Sequence, residues 1–407
     1  MFCRHGYRGC SARLSRQKAL GALWGKYLFL LYLVAACATP APVALDSSAT
    51  TKDVESGADV AASLGPKPTT ALLSHQHVAY TDGLHNENTD LIQWNKAVWL
   101  VFRGGETSQI GSADARLKVF RSDDLGDSWT MTAEIFMPSR DIRDPKFMVQ
   151  DGVLAIQAIS RVPGGHMRDA GGFAQTVRSE TADGIHWSPP TQVADETWGL
   201  WRYVEHDGQW YATGYNDGDT QVGLFQSADG KQWKRIALIM DSSANVPSEA
   251  ELRFFGQTAV ALVREDNGLT LIDEGHTAVC VAQSPWVSWS CGRQFDKRLD
   301  GPYWFTWNNR QFIAARKHLV GGRKRAALYE ITGDLTNPAA TVALTELSEF
   351  QSAGDTSYVG ILPLGGAQFL ASWYSSDVAL DPVWTLGMFS PSDIWLGCID
   401  LSYLPKT

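Results

Sequence analysis

The sequence predicts an all-β fold, a six-bladed β-propeller. One observation is a short pattern of Asp, Gly and Trp that recurs along the chain, and a second is a set of six segments in which an apolar or aromatic stretch is broken by a small turn. Turn chemistry repeated at a period of about 50 residues is typical of propellers, in which each unit is one small sheet.

The recurring pattern occupies residues 122–129, 181–187 and 227–233, with a degenerate fourth copy at 284–289. It places a tryptophan at the end of each copy, at Trp129, Trp187, Trp233 and Trp289. In the first three copies the Asp can accept backbone hydrogen bonds and the Gly supplies a positive φ, and in all four the Trp can pack on a neighbouring sheet. We call these four segments the Asp-Gly-Trp turns and expect them to join the two outer strands of a blade, with a structural and not a catalytic role.

The blade count comes from six segments that can form an inner hairpin: 90–103, 144–160, 201–216, 249–264, 301–317 and 355–376. Five carry turn residues at 95–96, 151–152, 207–208, 308–309 and 365–366, and the other turns at 255–257. We expect residues 394–399 to form an outer strand of the last blade and residues 72–80 to pair beside it and close the ring. No helix longer than a turn or two is predicted.

The N-terminal region has the pattern of an exported lipoprotein. Residues 1–37 contain six basic and no acidic side chains, an apolar run at 27–36, and a lipobox that ends at Cys37. Ten apolar residues are short for a membrane span, which favours a signal peptide over an uncleaved anchor. We expect lipidation of Cys37, attachment to the outer membrane of the cell envelope, a flexible tether over residues 38–70, and a monomeric propeller over 71–407.

Charge and cysteine content narrow the function further. Removal of residues 1–37 changes the net charge from −9 to −15, which argues against nucleic acid as a partner. Cys280 and Cys291 flank a predicted turn and could form a disulfide in the periplasm, with two buried thiols as the alternative. The spacing of Cys and His residues supports no zinc site, so we expect no metal or cofactor.

The starts of the predicted inner strands carry a ring of polar residues, which should converge at one mouth of the central channel. Charged groups at the start of a buried strand are costly unless they pair or bind a ligand, so this ring is the candidate site. It contains Asp90, Arg143, Asp144, Trp201, Arg202, Glu249, Pro302, Tyr303, Asp355, Thr356, Ser357 and Tyr358. Of these, Arg143, Arg202 and Tyr303 are candidate substrate contacts. Nearby, Trp198, Trp201 and Trp304 could offer stacking surfaces for a sugar, whereas His75, His77 and His85 are expected to be solvated loop residues.

Several of these segments resemble the sialidase-like (BNR/Asp-box) propeller superfamily over residues 75–405. Residues 247–254 followed by Arg264 resemble its Glu-then-Arg segment, and residues 355–360 resemble the segment that bears its tyrosine nucleophile. The resemblance implies that Tyr358 is the nucleophile and Glu249 its base, with Arg264 and Arg316 binding a substrate carboxylate. A neutral tyrosine suits a sugar whose anomeric carbon bears a carboxylate, because that carboxylate repels an anionic nucleophile.

The sequence departs from sialidases at the first inner strand. Residues 87–92 replace the segment whose arginine completes a carboxylate-binding triad. Arg103, at the far end of that hairpin, is a candidate substrate contact in its place. The acid/base aspartate is also not fixed, with Glu106, Asp114 and Asp144 as alternatives. The substrate implied is therefore a terminal sugar of a glycan that need not be a sialic acid.

A second resemblance is to furanosidase propellers such as invertases and arabinanases. Residues 142–146 resemble their Arg-Asp-Pro segment, and Asp90, Asp144 and Glu249 follow the order of their three catalytic carboxylates. Those families have five blades, whereas this chain is predicted to have six. The functional expectation is an exo-acting glycoside hydrolase, and the rival is a non-catalytic glycan-binding propeller of the cell envelope.

Overall fold

A computed structural model describes residues 69–108, 111–163, 175–195, 197–216, 218–266 and 275–405. The predicted signal peptide, Cys37 and the tether up to residue 68 lie outside the described residues. Helix is limited, within these ranges, to α1 (Trp384–Gly387) and one 3-10 turn (Leu401–Tyr403), as the sequence predicted. No helix in the described ranges has both the length and the apolar character needed to cross a membrane.

The rest of the described chain is built on strands. They are β1 (Leu73–Tyr80), β2 (His85–Trp94), β3 (Ala97–Gly105), β4 (Arg116–Ser122), β5 (Thr130–Phe136), β6 (Asp141–Gln150), β7 (Val153–Arg161), β8 (Gln175–Thr181), β9 (Thr191–Gln192), β10 (Trp198–His206), β11 (Gln209–Asn216), β12 (Gln221–Ser227), β13 (Lys234–Asp241), β14 (Pro247–Phe255), β15 (Thr258–Glu265), β16 (His276–Gln283), β17 (Ser290–Phe295), β18 (Asp300–Trp307), β19 (Arg310–His318), β20 (Lys324–Thr332), β21 (Ala343–Glu349), β22 (Thr356–Gly365), β23 (Gln368–Ser376) and β24 (Ser392–Asp400).

These strands form an all-β propeller of antiparallel meanders. Four sheets hold four strands each in chain order, β6 to β9, β10 to β13, β14 to β17 and β18 to β21. The remaining sheet has eight strands, in which β22-β23-β24 with β1 beside β24 adjoins β2-β3-β4-β5. The two halves of this sheet are joined by one parallel pair, His85 with Ser392.

Tight turns explain why each inner strand is followed at once by a second strand that pairs antiparallel with it. Two-residue hairpins favour turns with positive φ at both central residues, because this backbone twist matches the twist of the strands. The predicted turn residues have that conformation, with φ of 49° and 64° at Asn95 and Lys96, 47° and 59° at Asn308 and Asn309, and 60° at Gly256. The six predicted inner hairpins are thereby confirmed.

The Asp-Gly-Trp turns connect the third and fourth strands of four consecutive meanders, beginning with β4 and β5. In the turn between β12 and β13 the Asp229 carboxylate accepts hydrogen bonds from the N–H groups of Lys231 (2.9 Å) and Gln232 (3.1 Å). Gly230 has φ 60°, and Trp233 is buried in an apolar cluster. The pattern therefore builds a turn and anchors it by its tryptophan.

Strand β1 completes the sheet that contains the end of the chain. It pairs antiparallel with β24, from Leu73 opposite Ile399 to Tyr80 opposite Ile394. The predicted pairing of residues 72–80 beside residues 394–399 is thereby confirmed.

The core lies between adjacent sheets, and β15 shows how one strand serves two interfaces. Alternate side chains of a strand point to opposite faces. Ala259, Ala261 and Val263 pack in one buried cluster, whereas Val260 and Leu262 pack in another with residues of β18 and β19. Cys280 on β16 and Cys291 on β17 form a disulfide, which decides between the two alternatives left by the sequence.

A β-bulge interrupts the inner strand at the same level in all six inner hairpins. Two consecutive residues of the inner strand there oppose one residue of the second strand, a geometry that redirects side chains and is common near active sites. The bulged pairs are 88–89, 144–145, 201–202, 248–249, 301–302 and 358–359.

Candidate active site

The candidate site is formed largely by the bulged residues of the inner strands. The bulges carry Asn88, Asp144, Trp201, Arg202, Glu249, Gly301 and Tyr358, five of which the sequence had placed in the polar ring. Asp144 and Tyr358 have φ of 53° and 52°, an uncommon conformation for residues other than glycine. Such strained backbone clusters at functional sites, and here it turns side chains of distant segments toward one another.

Tyr358 and Glu249 lie at the centre of this site. The Tyr358 hydroxyl donates a short hydrogen bond to Glu249 Oε1. The N–H of Gly301 donates to Glu249 Oε2 at 2.6 Å, so both carboxylate oxygens are fixed. A Cβ at residue 301 would lie 2.6 Å from the Tyr358 ring, which makes glycine necessary at this approach.

Arg264 lies on β15 opposite the Glu249 bulge and faces the same pair. Its Nη1 is 2.9 Å from Glu249 Oε1 and 3.5 Å from the Tyr358 hydroxyl. Its Nε and Nη2 bind both oxygens of Asp266 at 2.8 and 2.9 Å. The guanidinium is thus held by Asp266 while one nitrogen is directed at the Tyr358–Glu249 pair.

The Tyr358 ring is enclosed by aromatic and cationic groups. Trp201 meets it edge to face with centroids 5.8 Å apart, and the Arg316 guanidinium carbon lies 5.1 Å from its centroid. Burial and the neighbouring Glu249 carboxylate raise the pKa of Tyr358 well above its ordinary value, against the opposing effect of Arg264 and Arg316. Ionisation of this phenol therefore requires transfer of its proton to a neighbouring base.

Asp144 occupies the second bulge and contacts Asn88 of the first. The Asn88 amide donates to Asp144 Oδ1 at 2.5 Å. Burial raises the pKa of Asp144 to about 6, helped by the charges of Glu249 and Glu87 and opposed by Lys146 and Arg143. A carboxyl group with this pKa can hold a proton near neutral pH, as a general acid must.

Lys146 also lies in this region and was not among the predicted site residues. Its ammonium group lies 4.5 Å from the centroid of the Trp201 ring. Burial and the nearby Arg202 lower the pKa of Lys146 to about 8. A lysine in a strand usually faces solvent, so the residue type gave no reason to place Lys146 in the site. Its position two residues after Asp144 was the one sequence feature that could have indicated it.

Asp90, the bulged residue Arg202 and Tyr303 line the central channel. The channel holds a cavity of about 280 Å³ with lining residues from β2, β6, β10, β14, β18 and β22. Arg202 binds Asp90 at 2.9 Å and Glu251 at 3.1 Å, and it stacks 4.0 Å above the Tyr303 ring. Asp90 also accepts the N–H of Phe147 at 2.8 Å, so its carboxylate is engaged on both oxygens.

Arg103 and Arg316 are buried ion-pair partners between adjacent sheets. Each lies near the end of a second strand and binds an aspartate at the start of the next inner strand, Arg103 with Asp141 at 2.7 Å and Arg316 with Asp355 at 2.9 Å. Arg264 repeats the relationship with Asp300 at 3.3 Å. The Arg103 side chain is 0% exposed, which corrects the expectation that it contacts substrate.

Arg143 is similarly committed to protein groups. Its Nη2 binds Asp141 at 2.7 Å and the carbonyl oxygen of Ser108 at 2.8 Å. Glu106 and Asp114, the other two acid/base candidates, are exposed residues of the connection between β3 and β4. Of the three candidates, Asp144 alone lies in a bulge.

Two expectations about aromatic and histidine residues are wrong. Trp198, Trp201 and Trp304 are 8%, 1% and 0% exposed, so they pack in the protein and offer no open ring face for a sugar. His85 is also fully buried, beside Glu87 and Asp355, whereas His75 and His77 are exposed as expected. His85 begins β2 and pairs with Ser392 of β24, a long-range contact that the local sequence does not reveal.

Solved structures with the same architecture include sialidases and an arabinanase. A mutant NanB sialidase from Streptococcus pneumoniae has a TM-score of 0.57 at 9% identity over 83% of this chain and 72% of that chain. An alpha-L-arabinanase from Penicillium chrysogenum complexed with arabinobiose has a TM-score of 0.52 at 10% identity over 82% and 99%. A Trypanosoma rangeli sialidase mutant with trans-sialidase activity also has a TM-score of 0.52, at 12% identity over 77% and 54%.

No family model and no curated protein matches the sequence. At these low identities the structural similarities carry information about the fold alone. They show that the chain has a β-propeller fold of the kind found in these glycoside hydrolases.

Proposed function

We propose that this protein is an exo-acting glycoside hydrolase that cleaves a terminal sugar from a glycan. The hydrogen bond from the buried Tyr358 hydroxyl to Glu249 Oε1 carries the proposal. It pairs a weak nucleophile with an adjacent base, which is the arrangement that nucleophilic catalysis requires.

In the first step the Tyr358 oxygen attacks the anomeric carbon while its proton passes to Glu249. The bond from the anomeric carbon to the leaving oxygen breaks, and that oxygen takes a proton from a carboxylic acid. Arg264, 3.5 Å from the tyrosine oxygen, and Arg316 beside the ring stabilise the negative charge that develops on Tyr358. The second step reverses these proton transfers, with water replacing the leaving group.

Asp144 is the proposed acid. Its pKa of about 6 allows it to be protonated in part of the molecules near neutral pH, and Asn88 holds one oxygen so that the other is available to a ligand. Lys146 and Arg143, which oppose the rise in its pKa, would assist the release of that proton.

The sugar is proposed to be a glycoside other than a typical sialoside. Glu87 stands where sialidases have an arginine, and its carboxylate is bound to Arg103 at 2.8 Å. Arg264 and Arg316 are also engaged by carboxylates, so a substrate carboxylate would have to compete for them. A neutral terminal sugar avoids that competition, and Arg202 and Tyr303, which line the cavity, remain proposed contacts for its hydroxyl groups or aglycone.

The organisation proposed for the whole chain has six blades and a lipid anchor. The single parallel pair between β2 and β24 is weak support for one continuous sheet, so the eight strands are best divided into two blades of four. Cleavage before Cys37, its lipidation, an outer-membrane location and a monomeric state remain part of the proposal.

The test is hydrolysis of a panel of fluorogenic glycosides, including a sialoside and several furanosides, by the protein expressed from its full-length sequence. Cleavage that is abolished by both Tyr358→Phe and Glu249→Gln supports the tyrosine mechanism. Furanoside cleavage that requires Asp90, Asp144 and Glu249 but survives Tyr358→Phe would replace it with the carboxylate mechanism.

A second candidate function is non-catalytic glycan binding. The ion pairs of the arginines favour this function. Arg103, Arg143 and Arg316 each bind a protein carboxylate, so these arginines are not free to hold a substrate for catalysis. Binding of an oligosaccharide by the wild type and by Tyr358→Phe with equal affinity, and without turnover of any glycoside, would establish this function instead.

A further inference from the structure

His85, Glu87 and Asp355 form a second cluster at the edge of the candidate site. His85 Nε2 lies 3.3 Å from Asp355 Oδ2 and 3.6 Å from Glu87 Oε2, and the three atoms are within 4.8 Å of one another. The three side chains are 0% to 2% exposed. Two ligands of a tetrahedral ion at about 2.1 Å are about 3.4 Å apart, so these separations suit a single bound metal.

The hydrogen bonding of His85 fixes which nitrogen faces the carboxylates. Nδ1 lies 2.8 Å from the carbonyl oxygen of Ser390, and a carbonyl only accepts, so Nδ1 carries a hydrogen. In the neutral ring Nε2 then presents a lone pair toward two carboxylate oxygens. That arrangement is repulsive unless a cation lies between them.

Neither His85 Nε2 nor Asp355 Oδ2 has a hydrogen-bond partner of good geometry among the described residues, although both are buried. A proton on Nε2 would be expected to form at least one well-aligned bond to the carboxylate of Asp355, only 3.3 Å away. Two buried atoms directed at a common point, without such a bond, are compatible with a metal ion between them, and the alternative is an imidazolium ion paired with both carboxylates.

The oxygens that do not face this point are held by other groups. Arg103 binds Glu87 Oε1 at 2.8 Å, and Asp355 Oδ1 accepts from Arg316, Tyr374 and Trp384 at 2.9 to 3.0 Å. Outer partners of this kind orient the ligands of metal sites. The Ser108 hydroxyl donates to Glu87 Oε2 at 2.6 Å and is a further outer partner of this carboxylate.

We propose that His85, Glu87 and Asp355 bind one divalent transition-metal ion, with Zn²⁺ as the best fit. One imidazole and two carboxylates suit zinc, whereas Ca²⁺ prefers six to eight oxygen ligands and no nitrogen. The sequence did not predict this site because two of its ligands are at the start of β2 and the third lies near the other end of the chain.

The metal would fasten the two halves of the eight-stranded sheet. His85 and Glu87 belong to β2, whereas Asp355 directly precedes β22. Among the described residues, the ladder pairing between β2 and β24 is the single pair His85 with Ser392. A metal ion bound there would strengthen the contact between β2 and β22. It would also fix the Glu87 side chain, next to the bulge that begins at Asn88.

The experiment measures metal content and thermal stability together. The full-length protein is unfolded in a chelator and refolded with Zn²⁺ or without any metal, because a buried site loads during folding. We expect about one zinc per chain by elemental analysis and a melting temperature about 5 °C or more above that of the metal-free protein. Refolding with Co²⁺ should give the visible absorption of a four-coordinate ion.

His85→Gln should abolish the retained zinc and the shift in melting temperature, and Asp355→Asn should weaken both. His186→Gln is the matched control, because His186 contacts Asp183 in an exposed turn without a third ligand. If either ligand variant does not fold, the wild-type stoichiometry and Co²⁺ spectrum decide. Folded wild-type protein with no retained zinc, no Co²⁺ spectrum and an unchanged melting temperature would overturn the proposal and leave His85 as a protonated imidazolium.

Discussion

The Tyr358 hydroxyl donates to Glu249 Oε1 although the two residues are 109 positions apart. Tyr358 lies in the bulge of β22 and Glu249 in the bulge of β14, so the contact spans two separate sheets. The proposed nucleophile and its proposed base are thus brought together by the packing of separate sheets and not by neighbouring sequence.

This relationship predicts strongly non-additive mutations. Tyr358→Phe should lower kcat/KM by about 10³-fold or more, and Glu249→Gln by about 10²- to 10⁴-fold. If Glu249 acts through Tyr358, the double variant should be no less active than Tyr358→Phe alone, as steady-state kinetics on the best glycoside would show.

Two conservative variants serve as controls for lost packing. Tyr329→Phe removes a buried hydroxyl outside the site, and Glu265→Gln removes a buried carboxylate at the end of β15. Both should keep kcat/KM within about threefold of the wild type. Additive losses in the double variant would contradict the pairing of nucleophile and base.

Asp144→Asn should stabilise the protein at alkaline pH. The pKa of Asp144 is about 6 when folded against 3.8 as its ordinary value, so between these values the folded chain holds a proton that the unfolded chain has lost. Stability therefore falls as pH rises through this window, by about 3 kcal/mol in all. Urea unfolding should show the variant more stable than the wild type at pH 8, with the difference vanishing near pH 4.

Asp141→Asn, three residues earlier on β6, should behave in the opposite way. The pKa of Asp141 is lowered because the charges of Arg143 and Arg103 outweigh its burial. Its stabilising effect is present above pH 4 and is lost as the pH falls. This variant should be less stable than the wild type at pH 8, by about 3 to 5 kcal/mol. If both variants changed the free energy of unfolding at pH 8 in the same direction, the environments assigned to Asp144 and Asp141 would be wrong.

Loss of the Cys280–Cys291 disulfide should lower stability without changing the site. The bridge closes a loop between residues 11 positions apart on adjacent outer strands, so replacement of both cysteines by serine should cost about 2 to 3 kcal/mol. Thermal unfolding with and without a reductant measures this. Cys398→Ala, outside the disulfide, should leave the response to reductant intact.

Asp229→Ala should affect stability alone. It removes an acceptor for the N–H groups of Lys231 and Gln232, at a cost of about 1 to 2 kcal/mol. The melting temperature should fall while kcat/KM stays the same, and a large loss of activity in a folded variant would give this aspartate a role in the site.

The fold could be predicted from sequence because its signals are local. Asn95 and Lys96, or Asn308 and Asn309, specify a tight turn by their own conformational preferences, and their spacing gives the hairpins. Glu249 and Tyr358 could be predicted as site residues for the same reason, since each lies near the start of a recognisable strand.

The bulges and the buried ion pairs could not be predicted in the same way. Whether Asn88 is bulged depends on its register against β3, and the burial of His85 depends on β24, which lies at the opposite end of the described chain. The aspartates that precede or begin β6, β18 and β22 were a usable signal for the inter-sheet pairs with Arg103, Arg264 and Arg316. Which arginine met which aspartate became clear only from the order of the sheets.

The pairing of β1 with β24 has a consequence for the order of folding. The four meanders from β6 to β21 can each form from contiguous chain, whereas the sheet that holds β1 requires its first and last strands to meet from opposite ends of the described chain. Contacts between residues so far apart in sequence form slowly, because the chain loses much conformational entropy before the contacts stabilise it. The pairing of β1 with β24 is therefore expected to be the last event in folding. The bulged residues of β2 and β22 should reach their final positions only when this pairing is complete.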